Sequence, residues 1–264
     1  MQTMINGFEM AFEDQGEGLA VVLIHGYPLQ RAIWAPQVEA LRPRFRVITP
    51  DLRGFGESQV TAGPYTMEML ADDVHALLQA RGVRTAVVGG HSMGGYVALA
   101  FARQYPEMLR GLILVNTRPG ADSAEGKANR QAAAAKARQQ GSQAIADDML
   151  PKLLAPVTLQ SQPALVAQVH GWMAATAAEA LAHAQIGMAG RRDSQDVLES
   201  LFLPVQVITG ADDKLIPVSE SEAMARTVPG ARLAILEDAG HLASLEAPAA
   251  FNAALWDFLT VQVA

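Results

Sequence analysis

Nine residues, Val87-Val88-Gly89-Gly90-His91-Ser92-Met93-Gly94-Gly95, constrain the fold more than any other stretch of this chain. A short apolar run ends in Gly90-His91-Ser92-Met93-Gly94, and a helix-forming segment from Tyr96 to Tyr105 follows at once. This is G-x-S-x-G set between a strand and a helix. The turn it demands is so tight that the serine backbone is strained, and the positions two before and two after have no room for a side chain. The strain lifts the Ser92 hydroxyl above the edge of a sheet, at a helix N-terminus where backbone N–H groups are unpaired and the helix dipole favours negative charge. Such a position suits a nucleophile whose attack creates an oxyanion. The plain alternative is a glycine-rich turn that only packs a strand on a helix; the strand–turn–helix context favours the nucleophile.

The rest of the chain supplies a sheet for that turn to sit on. Apolar, β-branched runs alternate with helical patterns, which predicts a mostly parallel sheet covered on both faces. Strands are expected at Phe8–Glu13 (antiparallel), Ala20–Ile24, Arg46–Thr49, Thr85–Val88, Gly111–Val115, Val205–Thr209 and Arg232–Leu236, with helices over Thr66–Arg81 and Pro248–Val261. From Pro119 to about Ser200 no strand pattern appears; the segment is rich in Ala, Gln and charge and punctuated by Pro151, Pro156 and Pro163. It reads as three or four helices inserted into the sheet domain, the first opened by a capping box at Asp122-Ser-Ala-Glu125. There is no internal repeat.

Half of the 264 residues are hydrophobic, ample for one α/β domain with an insertion. A net charge of −7 argues against nucleic acid and against anionic membrane surfaces as partners. With no cysteine, disulfides, a thiol nucleophile and a thiolate metal site are excluded. The first thirteen residues lack the basic start and apolar core of a signal peptide, and no apolar run nears membrane-spanning length. The expectation is a cytoplasmic protein, although the missing cysteines fit a secreted one too.

A serine hydroxyl needs a base, and the base needs an orienting acid; on a sheet of this kind the order is Ser, Asp, His. Three histidines follow Ser92: His170, His183 and His241. His170 and His183 fall in the helical insertion and read as surface or packing residues. His241 sits in Asp238-Ala-Gly-His-Leu242, directly after the last strand, at the carboxyl edge where Ser92 also emerges and where open α/β sheets bind ligands. The acid is expected after Val205–Thr209, in Gly210-Ala-Asp212-Asp213. Either aspartate could reach His241; Asp213 is preferred, with Asp212 a turn former or cap. Asn116, at the end of the preceding strand, is a neutral amide and a poor substitute for the acid. For the oxyanion two N–H donors are needed: Met93, after the nucleophile, and Tyr27, in the turn Ile24-His25-Gly26-Tyr27-Pro28. His25 reads as a hydrogen-bonding support rather than a base.

Rival chemistries fail on spacing. The glycines make no G-x-G-x-x-G, no lysine follows as in a phosphate-binding loop, and no histidine pair has metalloprotease spacing, so neither a cofactor nor a metal is expected. Asp51-Leu-Arg-Gly-Phe-Gly-Glu-Ser58 reads as a structural loop.

These pieces, in order His25-Gly26-Tyr27-Pro28, Asp51 to Ser58, Gly90 to Gly95, Gly210-Ala-Asp-Asp213 with Pro217, and Ala239-Gly240-His241, resemble the α/β-hydrolase superfamily over nearly the whole chain. The resemblance implies an eight-stranded, mostly parallel sheet with helices on both faces. It also implies a core of residues 1–118 and 203–264 and a helical cap, 119–202, between strands six and seven. Among relatives the chain looks most like small carboxylesterases, 3-oxoadipate enol-lactonases and cofactor-free perhydrolases, and the stretch Asn116–Arg130 resembles the entry to the cap in that group. The expected activity is hydrolysis of small, short-chain carboxylic esters through an acyl-enzyme, with Ser92 as nucleophile, His241 as base and Asp213 as its orienter. Enol-lactone hydrolysis or perhydrolysis is the alternative, and a non-catalytic small-molecule receptor the reading from another class. Trp172, the one Phe, Tyr or Trp between Pro119 and Ser200, is a candidate pocket residue under a roof of Leu, Met, Val and Ala. The oligomeric state is not legible.

Overall fold

The computed structural model describes residues 1–263. Eight strands form one sheet: β1 Gln2–Ile5, β2 Phe8–Gln15, β3 Ala20–Ile24, β4 Arg46–Pro50, β5 Ala86–His91, β6 Leu109–Val115, β7 Val205–Gly210 and β8 Arg232–Leu236. Their order is β1-β2-β4-β3-β5-β6-β7-β8. β1 pairs antiparallel with β2 and β2 with β4; every other pairing is parallel.

The central strands are apolar without interruption because both of their faces are covered. Val22, Ile24, Val88, Leu112 and Leu114 join one core cluster, which also holds Leu70, Val74 and Leu77 of the helix Met67–Ala80 and Val97 and Phe101 of the helix Met93–Gln104. The intervening Val21, Leu23, Val87, Ile113 and Val115 face a second cluster with Trp34, Val38, Phe251 and Leu255. The covering helices are α1 Ala35–Leu41, α2 Met67–Ala80 and α3 Met93–Gln104. Between β6 and β7 lie α4 Ala124–Leu153, α5 Pro156–Ser161, α6 Pro163–Ala175, α7 Ala178–Ala189 and α8 Gln195–Glu199; α9 Val218–Thr227, α10 Ala243–Glu246 and α11 Pro248–Phe258 complete the α-helices of the described residues. No described helix is long and apolar enough to cross a membrane.

The structure corrects the sequence in three places. Strand β1 was not anticipated. The segment between β6 and β7 holds five helices rather than three or four, and the longest, α4, is broken at Gly141, whose φ of 78° and ψ of 176° no helix contains. The helix-opening cap is Ser123, whose hydroxyl accepts from the Gly126 N–H at 3.1 Å, not Asp122. Asp122 is drawn away by cations: Arg118 and Arg191 reach it at 3.0 and 2.7 Å, and Arg130 also donates to it.

Candidate active site

Ser92 is the single residue between β5 and α3, at φ 53° and ψ −114°. A Cβ on Gly90 would fall 2.0 Å from the Gly94 carbonyl oxygen, and one on Gly94 would fall 2.3 Å from the Ile24 oxygen, so neither position admits another residue without moving main chain. The turn is tied at both ends. The Ser92 N–H donates to Val115 O at 2.9 Å, and Thr117 Oγ1 donates to Ser92 O at 2.8 Å.

His241 and Asp213 come from the loops after β8 and β7. His241 Nδ1 lies 2.8 Å from Asp213 Oδ2, and both side chains are enclosed. The other carboxylate oxygen accepts from the N–H groups of Leu215 and Ile216 at 2.8 and 3.0 Å, while Asn116 Nδ2 donates to Oδ2 at 2.8 Å. Burial alone would raise the Asp213 pKa, but the His241 ring beside it and these donors hold it below the usual carboxylate range. An ionised Asp213 only accepts, so the Nδ1 proton stays on His241 and the neutral ring presents Nε2 as a base. Asp212 is exposed, and its N–H donates to Ala239 O at 2.9 Å.

The loop carrying His241 is held from three sides. His91 Nε2 donates to the His241 carbonyl at 2.7 Å. Glu246 Oε1 accepts from the N–H groups of Gly240 and Leu242, at 2.9 and 3.2 Å, and its Oε2 accepts from Ala155 N–H at 2.7 Å, at the break between α4 and α5. Leu242 N–H also reaches Leu153 O at 3.2 Å.

The amides of Tyr27 and Met93 make no main-chain hydrogen bond among the described residues. Met93 opens α3, so its N–H is one that a helix leaves free. Gly26 brings the Tyr27 turn against His91, where a Cβ would fall 2.5 Å from His91 Nδ1. His25 is buried: its Nε2 accepts from Leu52 N–H at 3.0 Å and its Nδ1 lies 2.9 Å from Gly26 O. Asp51 closes its own loop, accepting from the N–H groups of Arg31 and Glu57 at 2.7 and 2.9 Å. His170 lies 2.8 Å from Asp147, and His183 packs edge-on to Tyr65 at 5.1 Å; neither meets Ser92 or His241. No described group of three or more His, Asp or Glu is arranged to hold a metal ion.

A cavity of about 490 Å³ lies beside Tyr27 and Leu215, under α4 and α7. Its wall corrects the expected apolar roof. Ile145, Met149 and Ala133 line it, but so do Arg118, Asp122, Arg130, Lys136, Asp148 and Lys152. Trp172 does not line it; half-buried, it packs against the second core cluster, and its carbonyl accepts from Thr176 Oγ1 at 3.1 Å. Burial pushes the Tyr27 phenol up to about 12, so it stays a neutral donor at the cavity wall.

Sequence reasoning missed Asn116, His91 and Glu246 as supports. As an amide Asn116 is a poor replacement acid, and its place at the carboxyl end of β6, next to the acid's strand, is the signal for a supporting role.

Comparison with known proteins follows the same lines. Residues 20–248 match a family model described as alpha/beta hydrolase fold. A putative carbamate hydrolase, RutD, of Caulobacter sp. (strain K31) is 33% identical over 253 residues, 92% of this chain and 91% of that protein. The 3-oxoadipate enol-lactonase 2 of Acinetobacter baylyi is 29% identical over 241 residues, 91% and 88% of the two chains. Among solved structures, a thermophilic esterase from Thermogutta terrifontis, with malate bound, superposes with a TM-score of 0.98 at 43% identity over 100% of both chains. The enol-lactonase from Burkholderia xenovorans LB400 gives a TM-score of 0.92 at 31% identity over 98% of this chain and 100% of that one.

Proposed function

The chain belongs to the α/β hydrolase family, and on that premise we propose that it is a serine carboxylesterase acting on small carboxylic esters. The observation that carries the reading is the enclosed 2.8 Å pair of His241 Nδ1 and Asp213 Oδ2, at the sheet edge where the strained turn presents Ser92.

In this mechanism His241 Nε2 takes the proton as Ser92 Oγ attacks the ester carbonyl carbon, and Asp213 stabilises the imidazolium that forms. The carbonyl oxygen becomes an oxyanion and meets the amides of Tyr27 and Met93. Collapse breaks the C–O bond, and the proton passes from His241 to the departing alkoxide, which leaves as the alcohol. The acyl group then rests on Ser92. Water repeats the sequence, losing a proton to His241, and the acid leaves as Ser92 Oγ recovers that proton. No cofactor or metal enters any step. Helices α4 to α8 serve as a cap over the cavity. The likeness to enol-lactonases supports a second reading, in which the ester is cyclic and the departing oxygen stays tethered to the acyl chain.

A fluorophosphonate separates these hydrolytic readings from a non-catalytic receptor. It is expected to add one mass increment to the peptide containing Ser92, and Ser92→Ala is expected to abolish the label. Labelling that survives in the alanine variant overturns the assignment.

A further inference from the structure

The wall of the cavity beside Tyr27 carries four cations, Arg118, Arg130, Lys136 and Lys152, against two carboxylates, Asp122 and Asp148. That excess stands out on a chain whose net charge is −7. Lys136 and Asp148 pair with each other, leaving one carboxylate, Asp122, for the arginines. Asp122 is already oversubscribed: Arg191 reaches it at 2.7 Å from behind, stacks on Tyr96 at 4.2 Å and is enclosed, so Arg191 alone can neutralise it. Three guanidiniums thus share one carboxylate, and Arg118 and Arg130 leave a net positive charge at the cavity wall.

Hydrogen bonding points the same way. Arg118 spends one N–H on Asp122, at 3.0 Å, and its Nε is buried without a partner. Tyr27 is only 5% exposed, and its buried hydroxyl sits near Gln185 but makes no hydrogen bond of ordinary geometry. Buried donors left unpaired are costly, and native sites satisfy them with a ligand or water. A guanidinium Nε–H and a phenol O–H, each without an acceptor, suit an anion with two oxygens. The site is also close to the chemistry. Tyr27 contributes its amide to the oxyanion corner, Leu215 follows Asp213 by two residues, and Arg118 follows Thr117, whose hydroxyl holds the Ser92 carbonyl.

We propose that this cavity is a carboxylate-binding subsite, and that the preferred substrates are monoanionic esters carrying a free carboxylate at the end remote from the scissile bond, held by Arg118, Arg130 and the Tyr27 hydroxyl. The proposal rests on the reading of Ser92 as an esterase nucleophile and names the substrate class of that site. An ion-pair network that merely pins the start of α4 to α7 is the competing account. It leaves the unpaired donors of Arg118 and Tyr27 without an acceptor at the cavity wall.

The test uses matched esters. Monoethyl adipate is compared with ethyl hexanoate, placing the charge on the acyl side, and 4-acetoxybutanoate with butyl acetate, placing it on the alcohol side. Hydrolysis is followed by acid release at pH 8, and fluorophosphonate labelling of Ser92 is measured in parallel. The expected result is a preference of about tenfold or more in kcat/KM for the anionic member of at least one pair, weakening as salt is raised. In Arg118→Gln the preference collapses toward one. Arg226→Gln, which removes an exposed cation on α9, leaves the preference in place. Thermal midpoints of both variants are recorded, because a purely structural Arg118 would lower the midpoint without changing the preference. Normal labelling of Ser92 with no anionic preference, or a preference untouched by Arg118→Gln, overturns the subsite alone. Failure of labelling together with failure on all four esters overturns the esterase reading and the subsite with it.

Discussion

His91 Nε2 donates a 2.7 Å hydrogen bond to the main-chain carbonyl of His241, and the two rings meet edge-on with centroids 4.8 Å apart. The residue before the nucleophile thus holds the loop of the base. Because the acceptor is a carbonyl, the proton of His91 is on Nε2. Nδ1 is buried against Gly26, has no partner among the described residues, and offers no room for a second proton's hydrogen bond. Burial, with His241 close by, lowers the His91 pKa to about 3.

That depression has a pH signature. Between the ordinary histidine value of 6.5 and about 3, the unfolded chain binds a proton at His91 that the folded chain does not. Stability from this group is therefore complete above pH 6.5 and is lost as pH falls through that window, by up to about 1.4 kcal/mol per pH unit. Urea unfolding at pH 7 and pH 5 is expected to show a larger loss for the native chain than for His91→Gln. Equal losses would contradict a neutral, buried His91.

The Asp213–His241 pair makes a sharp distinction between neighbouring aspartates. Asp213→Asn is expected to lower kcat by about 10³ to 10⁴, because the imidazole loses both its orientation and its counter-charge. Asp212→Asn, at an exposed side chain, is expected to change kcat little. Steady-state kinetics on one ester decides, and a reversed pattern would move the acid by one residue.

Glu246 joins the base's loop to the helical insertion through three N–H donors, on Ala155, Gly240 and Leu242. Burial raises its pKa above the usual glutamate value. An amide cannot reproduce the arrangement, since both carboxylate oxygens accept and the new NH₂ would face a donor. Glu246→Gln is expected to destabilise the fold by about 1–3 kcal/mol and to lower kcat more than it raises KM. A thermal scan and a Michaelis–Menten series check both; an unchanged kcat would mean that the loop holds His241 without the clamp.

Chain-length preference follows from the cavity. Each added methylene gains about 0.8 kcal/mol only where a wall excludes water, and Ile145, Met149, Ala133 and Leu215 supply a limited apolar share of a wall that charged residues interrupt. Among uncharged p-nitrophenyl esters, kcat/KM is expected to peak at about two to six acyl carbons. A series from acetate to palmitate with its maximum at twelve carbons or more would reveal an apolar channel instead.

Much of this architecture was written locally. The buried central strands announce themselves as unbroken apolar runs bounded by turns, and the turn at Ser92 is legible because Gly90 and Gly94 have no substitutes at that spacing. Strand β1 escaped because Gln2-Thr-Met-Ile is mostly exposed and alternates weakly. Ser123 displaced Asp122 as the cap because three arginines, one of them, Arg191, distant in sequence, compete for the carboxylate. The supports of the site were hidden for the same reason: Asn116 reaches Asp213 across 97 positions and Glu246 reaches Ala155 across 91, and neither pairing has any local pattern. The charged cavity wall was missed because composition averages α4 over all its faces, whereas a cavity samples one.

The backbone of Ser92, at φ 53°, lies where a residue with a Cβ is held at a cost of about 1–3 kcal/mol. Glycine would relax there. Any campaign that ranks variants of this chain by melting temperature alone is therefore drawn toward Ser92→Gly, a more robust protein with its nucleophile gone. Selection for thermal endurance has to be coupled to turnover at every round, because at this position durability and chemistry pull the backbone in opposite directions.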